Sequence, residues 1–106
     1  MLIVNVQGGK EGSALQAASA GGYDQIVQML LEKGANVNVP NSSFYGNALQ
    51  AASARGYDQI VQLLLKKGAD INAQGGWHGN ALQAALAGGH NQIVQLLLER
   101  GAEVDP

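Results

Sequence analysis

Few side chains in this 106-residue chain are suited to catalysis. It has two histidines, His78 and His90, and no cysteine. These histidines stand on different predicted elements, and no acidic residue is spaced to complete a zinc site or a catalytic pair with either. Ser13, Ser19 and Ser53 lack a plausible base close by, and cap or helix positions explain them. We therefore predict no enzymatic activity, no metal and no cofactor.

The composition also bears on which ligands the chain binds. The segment 75–79 (GGWHG) resembles part of a phosphate loop, but no strand precedes it and no Lys-Ser/Thr pair follows, so we interpret its glycines as turn residues with positive φ. The formal net charge is −2, and no basic stripe is present, which argues against nucleic acid as a partner. No apolar run is long enough to span a membrane.

The chain is organised by an internal repeat. Gly12, Gly46 and Gly79 open three similar segments and are 34 and 33 residues apart. The middle copy, residues 46–72, reads GNALQAASARGYDQIVQLLLKKGADIN. A period in this range is typical of a solenoid, in which each unit buries its apolar face against the next one.

Each copy predicts two short helices. Residues 47–54 are rich in Ala, the best helix former, with Asn47 as N-cap and Gly56 after the helix. Residues 58–67 form the second helix, with acid in its first turn, lysines in its last and Gly68 at the C′ position. The second helix is apolar nearly all round, which indicates burial on several sides by neighbouring repeats. β-branched residues and turn formers in the connectors predict short hairpin-like fingers.

These patterns resemble the ankyrin repeat. NALQAA stands where the family has T-P-L-H-x-A-A, and GYDQIVQLLLKKGADIN follows the family's second helix and its end. The resemblance implies an all-α solenoid of three stacked helix-turn-helix units joined by β-hairpin-like fingers. It divides the chain into a partial finger (1–11) and repeats 12–45, 46–78 and 79–106. Gln16, Gln50 and Gln83 replace the family's His and are expected to hydrogen-bond toward the adjacent finger.

Positions that differ between the copies indicate where a partner binds. They cluster in the finger before each opening glycine and in the first helix with its C-terminal end. In the ankyrin family these two regions line a concave partner-binding face, and Trp, Tyr and Arg are enriched at binding hot spots. The resemblance therefore implies a protein partner contacted by Lys10, Glu11, Phe44, Tyr45, Ser53, Arg55, Trp77, His78 and Leu86.

Other aromatic residues have a structural interpretation. Tyr23, Tyr57 and His90 stand at the family's Gly-His position and are expected to support packing. Tyr45 and Trp77 have an alternative as well, in which they fold down over the helix ends or pack on each other.

A second functional hypothesis is a spacer or self-assembling scaffold. Neither end of the chain carries an atypical polar repeat, so we expect a segment of a longer array with apolar ends. These ends are Leu15 and the first helix pair on one side, and Ile93, Val94, Leu97 and Leu98 on the other. Such ends allow copies to associate head to tail. The repeat variant is also similar to the ankyrin tails of fungal NACHT receptors of the STAND class. That resemblance and the lack of cysteine together predict a cytoplasmic protein.

Overall fold

The computed structural model describes residues 14–39 and 46–104. All regular secondary structure in these two ranges is helical, which confirms the predicted all-α class. The helices follow one another in pairs: α1 (Ala14–Gly21) with α2 (Asp24–Glu32), α3 (Ala48–Arg55) with α4 (Asp58–Lys66), and α5 (Ala81–Gly88) with α6 (Asn91–Glu99). We call α1, α3 and α5 the inner helices and α2, α4 and α6 the outer helices.

The ends of α3 follow from local chemistry. Asn47 caps the helix by accepting a bond from Gln50 N at 2.9 Å, and Gln50 Oε1 accepts Asn47 N at 2.7 Å, which completes a capping box. Gly56 ends the helix in the left-handed region with φ 83°, where a side chain would be strained. The predicted cap and the predicted stop are both confirmed.

The core runs continuously through the three helix pairs. Ile60, Val61 and Leu64 of α4 are fully buried, as expected for a helix covered on several sides. The inner helices contribute alanines and one large leucine each, and they pack more closely on one another than the outer helices do. Small side chains permit this close approach, so the stack closes on the inner side and opens on the outer side. An open groove of about 360 Å³ lies between α2 and α4, and the inner helices therefore form the concave side.

Two asparagines tie successive turns of the stack together. Asn38 donates from Nδ2 to Gly68 O at 3.1 Å and accepts Asp70 N at 2.7 Å. Asn72 repeats the second contact one unit later, accepting Glu103 N at 2.8 Å. Each side chain thus satisfies backbone groups of the following repeat and fixes the spacing at the start of each finger.

The fingers differ from the prediction. In the parts of the chain that the structure describes they consist of turns, with one isolated antiparallel bridge between Gly75 and Gly79. The expected β-hairpin-like form is not confirmed. The hydrogen bonds that hold this finger come mainly from side chains, as shown below.

The expectation of apolar ends is confirmed for the first helix pair, where Ile26 and Met29 are 47% and 56% exposed, but is largely wrong for the other residues named. Leu15, Ile93 and Leu97 are at most 1% exposed, because their own helix pair and the adjacent repeat already cover them. Val94 is partly buried, and only Leu98, at 44%, is exposed as expected. The apolar surface of the third repeat is therefore smaller than the sequence indicated.

Candidate functional site

Trp77 is the most exposed large apolar side chain in the described part of the molecule, at 73%. It lies at the centre of a five-residue loop, which we call the Trp77 loop (residues 75–79). Gly75 N donates to Gly79 O at 2.8 Å and closes the loop at its base. Gly75, Gly76 and Gly79 all have positive φ, which confirms their predicted role as turn residues. The indole is thus presented at the tip of a tight turn.

Gln50 anchors this loop to α3. Its Nε2 lies 3.0 Å from Ala73 O, 3.2 Å from Gly75 O and 3.2 Å from Gly79 O. The two hydrogens of this nitrogen are therefore shared among three carbonyls, two in the loop and one just before it. The side chain is only 3% exposed, and its Oε1 is held by the capping box. Because both ends of the amide are bonded, the loop has a fixed position on the helix.

The first repeat shows the same arrangement. Gln16 Nε2 donates to Val39 O and to Gly46 O, both at 3.1 Å. The prediction that these glutamines bond toward the adjacent finger is confirmed for Gln16 and Gln50. Gln83 is partly buried in the third repeat, and its expected side-chain bond stays a prediction.

Arg55 is the exposed last residue of α3. The equivalent positions in the other repeats are Gly21 and Gly88, where the rings of Tyr23 and His90 lie within 2.4 Å of an added Cβ. Only the middle repeat therefore carries a side chain here. Arg55 belongs to the same helix, α3, as Gln50, whose side chain contacts the Trp77 loop. His78 is half-buried within the loop.

Ser53 is not available to a partner. It is fully buried, and its Oγ has no hydrogen-bond partner in the described residues, as is also true of Ser19 at the equivalent position. Leu86 occupies this position in the third repeat and is 49% exposed. The position therefore faces the following repeat, which covers Ser19 and Ser53. Ser53 therefore lies in the interior of the stack, and the contact role of Leu86, which is exposed, stays a prediction.

A packing role was expected for all three aromatic residues at the N-caps of the outer helices, and contacts with the preceding repeat confirm it for His90 and Tyr57. His90 Nε2 lies 3.0 Å from Ala54 O of the preceding repeat, and since a carbonyl only accepts, Nε2 carries the hydrogen. Tyr57 lies against Gly22, where an added Cβ would stand 2.8 Å from its ring. Tyr23 belongs to the first of the three helix pairs and is 58% exposed.

The remaining predicted contact residues are Lys10, Glu11, Phe44 and Tyr45, which lie outside the described residues, and their assignment stays a prediction. Within residues 14–39 and 46–104, no group of three or more His, Asp or Glu side chains could hold a metal ion. No helix in these ranges is long and apolar enough to cross a membrane.

Comparison with known proteins now gives the class of this fold. A family profile described as "Ankyrin repeats (3 copies)" matches residues 15–106, and the chain belongs to the ankyrin-repeat family. Ankyrin repeats generally mediate protein–protein interactions, and the family is in general a non-catalytic interaction module.

One curated relative is the "Azaphilone pigments biosynthesis cluster protein L" of Monascus ruber, which is 60% identical over 35 residues. The match covers 33% of this chain and 7% of the relative's length. The 35 matched residues are thus a small part of that protein.

Proposed function

We propose that this chain binds a protein partner through its concave side and performs no catalysis. The contact surface centres on Trp77, with Arg55 and His78 beside it, and extends to Lys10, Glu11, Phe44 and Tyr45. The observation that carries the proposal is the anchored Trp77 loop. The loop is closed by the Gly75–Gly79 hydrogen bond and contacted by Gln50 Nε2, which shares its two hydrogens among three carbonyls, and the indole at its tip is 73% exposed.

The energetics of binding support this assignment. An exposed indole has a large apolar area and a single N–H donor, and truncation of such a residue at a hot spot costs at least about 2 kcal/mol. A loop that is already positioned by hydrogen bonds loses less conformational entropy on binding than an unanchored one. A protein partner also fits the charge better than nucleic acid does, because the chain is net negative and Arg55 is the one basic residue on an inner helix.

The Trp77→Ala variant tests the proposal. We expect it to weaken binding of the physiological partner about 30-fold, the equivalent of 2 kcal/mol, without a change in stability. A pull-down from cell extract followed by titration of the captured protein measures the effect. Tyr23→Ala is the matched control, because Tyr23 is also an exposed aromatic residue but lies on the end of the stack. Equal capture by Trp77→Ala and the native chain would contradict the proposal.

A second candidate is head-to-tail self-association, because both ends expose apolar side chains. Leu86 and Leu98 are 49% and 44% exposed at one end, and Ile26 is 47% exposed at the other. Their counterparts inside the stack are covered, with Ile60 and Ser53 fully buried. One feature disfavours this candidate: Leu86 would have to fit where the interior interfaces accommodate only a serine.

The Leu98→Glu variant separates the two candidates. If copies stack end to end, light scattering against concentration shows growth of larger species for the native chain, and Leu98→Glu abolishes it. We expect a concentration-independent monomer for both. Leu97 is unsuitable for this test, because it is fully buried and a glutamate there would unfold the repeat. Native species that grow with concentration and are dispersed by Leu98→Glu would establish self-association instead.

We also propose that the chain is part of a longer array that forms the ankyrin tail of a cytoplasmic NACHT-type receptor of the STAND class. This proposal is supported only by the resemblance of the repeat pattern. A nucleotide-binding NACHT domain encoded upstream of these repeats would support it, and a different upstream architecture would overturn it.

A further inference from the structure

The outer helices expose two rows of glutamines that are the same in every repeat. One row consists of Gln25, Gln59 and Gln92, and the other of Gln28, Gln62 and Gln95. All six side chains are exposed, so packing inside the stack does not require them. Other exposed positions of these helices differ between the copies: Lys66, for example, stands where α2 and α6 have glutamate. The two rows therefore need an explanation outside the packing frame.

Glutamines of both rows meet in the open groove between α2 and α4. The groove has a volume of about 360 Å³, which is within the range of ligand sites, and is lined by Asp24, Gln28, Gln59, Gln62, Leu63 and Lys66. On α4, Gln59, Gln62 and Lys66 are three and four residues apart, so they share one side of that helix. Asp24 and Gln28 stand in the same relation on α2. The three amide groups make no hydrogen bond within residues 14–39 and 46–104, so they are available to a ligand.

The lining selects a neutral ligand that is rich in hydrogen-bonding groups. A primary amide offers both donors and an acceptor, and each residue of an extended peptide backbone does the same. Asp24 and Lys66 carry opposite charges, so the lining has no net charge with which to attract a polyanion or a polycation. It also has no aromatic ring on which a nucleic-acid base would stack. Leu63 supplies one apolar contact.

We infer that this groove binds an extended segment of a protein partner, which carries little net charge and is recognised through its main chain. The glutamine amides pair with backbone N–H and C=O groups of the segment, and Leu63 contacts one of its aliphatic side chains. Main-chain hydrogen bonds give affinity in this mode of recognition, and they are common to all residues except proline, so the groove tolerates many sequences. The inference goes beyond the proposed function, because this surface lies on the convex side and does not include the Trp77 loop.

Selection of short random peptides from a displayed library tests the inference. The target is the Trp77→Ala variant, so that the Trp77 loop does not contribute. We expect enriched peptides of low net charge that share no side-chain motif beyond one aliphatic residue. In the same background, Gln62→Ala should bind a synthetic copy of one such peptide about fivefold more weakly, as for one lost hydrogen bond, and added salt should have little effect. Gln25→Ala is the matched control, because Gln25 is an exposed glutamine of α2 outside the groove lining, and it should leave binding unchanged.

Methylation of the backbone nitrogens of the peptide tests the main-chain contacts directly. It removes the N–H donors and keeps every side chain, so we expect binding to be lost. Equal affinity of the methylated and unmethylated peptides, equal affinity of Gln62→Ala and its parent, or failure to enrich any peptide would overturn the inference. A neutral oligosaccharide that binds instead, and does so more weakly to Gln62→Ala than to Gln25→Ala, would assign the groove to a sugar. None of these results bears on the concave site, which the comparison of Trp77→Ala with the native chain tests separately.

Discussion

Replacing Leu64 with Ala should lower the free energy of unfolding by about 2–5 kcal/mol. Leu64 is fully buried in α4, the outer helix of the middle repeat, and belongs to the core cluster that joins all three helix pairs. The middle repeat has a neighbour on each side, so a cavity here weakens both stacking interfaces. Short helices depend on such packing for their stability. Equilibrium urea unfolding followed by circular dichroism measures the loss.

Leu98→Ala is the matched control for this prediction. It deletes the same atoms from the outer helix of the third repeat, where the side chain is 44% exposed, so we expect a loss below about 1 kcal/mol. Comparable losses for the two variants would mean that stability does not depend on stacking. A loss below about 0.5 kcal/mol for Leu64→Ala would also contradict the prediction that stacking between repeats stabilises the fold.

The features that sequence predicts well here depend on residues a few positions apart. Asn47 and Gln50 form their capping box within a single turn, and Gly56 ends the helix through its own φ. The longer-range bond from Gln50 to the finger was predicted from the resemblance to a known repeat, in which a histidine at this position makes it. Trp77 was identified because the copies differ at its position, which separates displayed residues from the packing frame.

The features that were missed depend on what covers a residue from a neighbouring repeat. Ser53 looked like a variable surface residue, but the following repeat buries it completely. Leu97 looked exposed at an end, but its own helix pair and the adjacent repeat together bury it. The bonds of Asn38 and Asn72 to the next repeat were also missed. The sequence did offer a signal, because an asparagine stands at this same position in two successive copies.

The Gln50→Leu variant should show that one side chain determines both stability and the position of Trp77. Leucine has a similar volume but makes none of the hydrogen bonds of Gln50. Asn47 N, Ala73 O and Gly75 O each lose their bond to that side chain, at about 1–3 kcal/mol for each buried group. Water can reach part of the loop, so we expect a total loss of about 2–4 kcal/mol in urea unfolding.

Trp77 reports on the loop directly, because it is the only tryptophan in the chain. Its time-resolved fluorescence anisotropy should show a larger fast component in Gln50→Leu, since the loop is then held by the Gly75–Gly79 contact without its anchor on α3. Gln83→Leu, the equivalent change in the third repeat, is the control and should leave the anisotropy of Trp77 unchanged, because the side chain that contacts the Trp77 loop is Gln50. Destabilisation of Gln50→Leu without added motion of Trp77 would show that Gln50 supports the helix end alone. The rigid presentation of the indole would then need another cause.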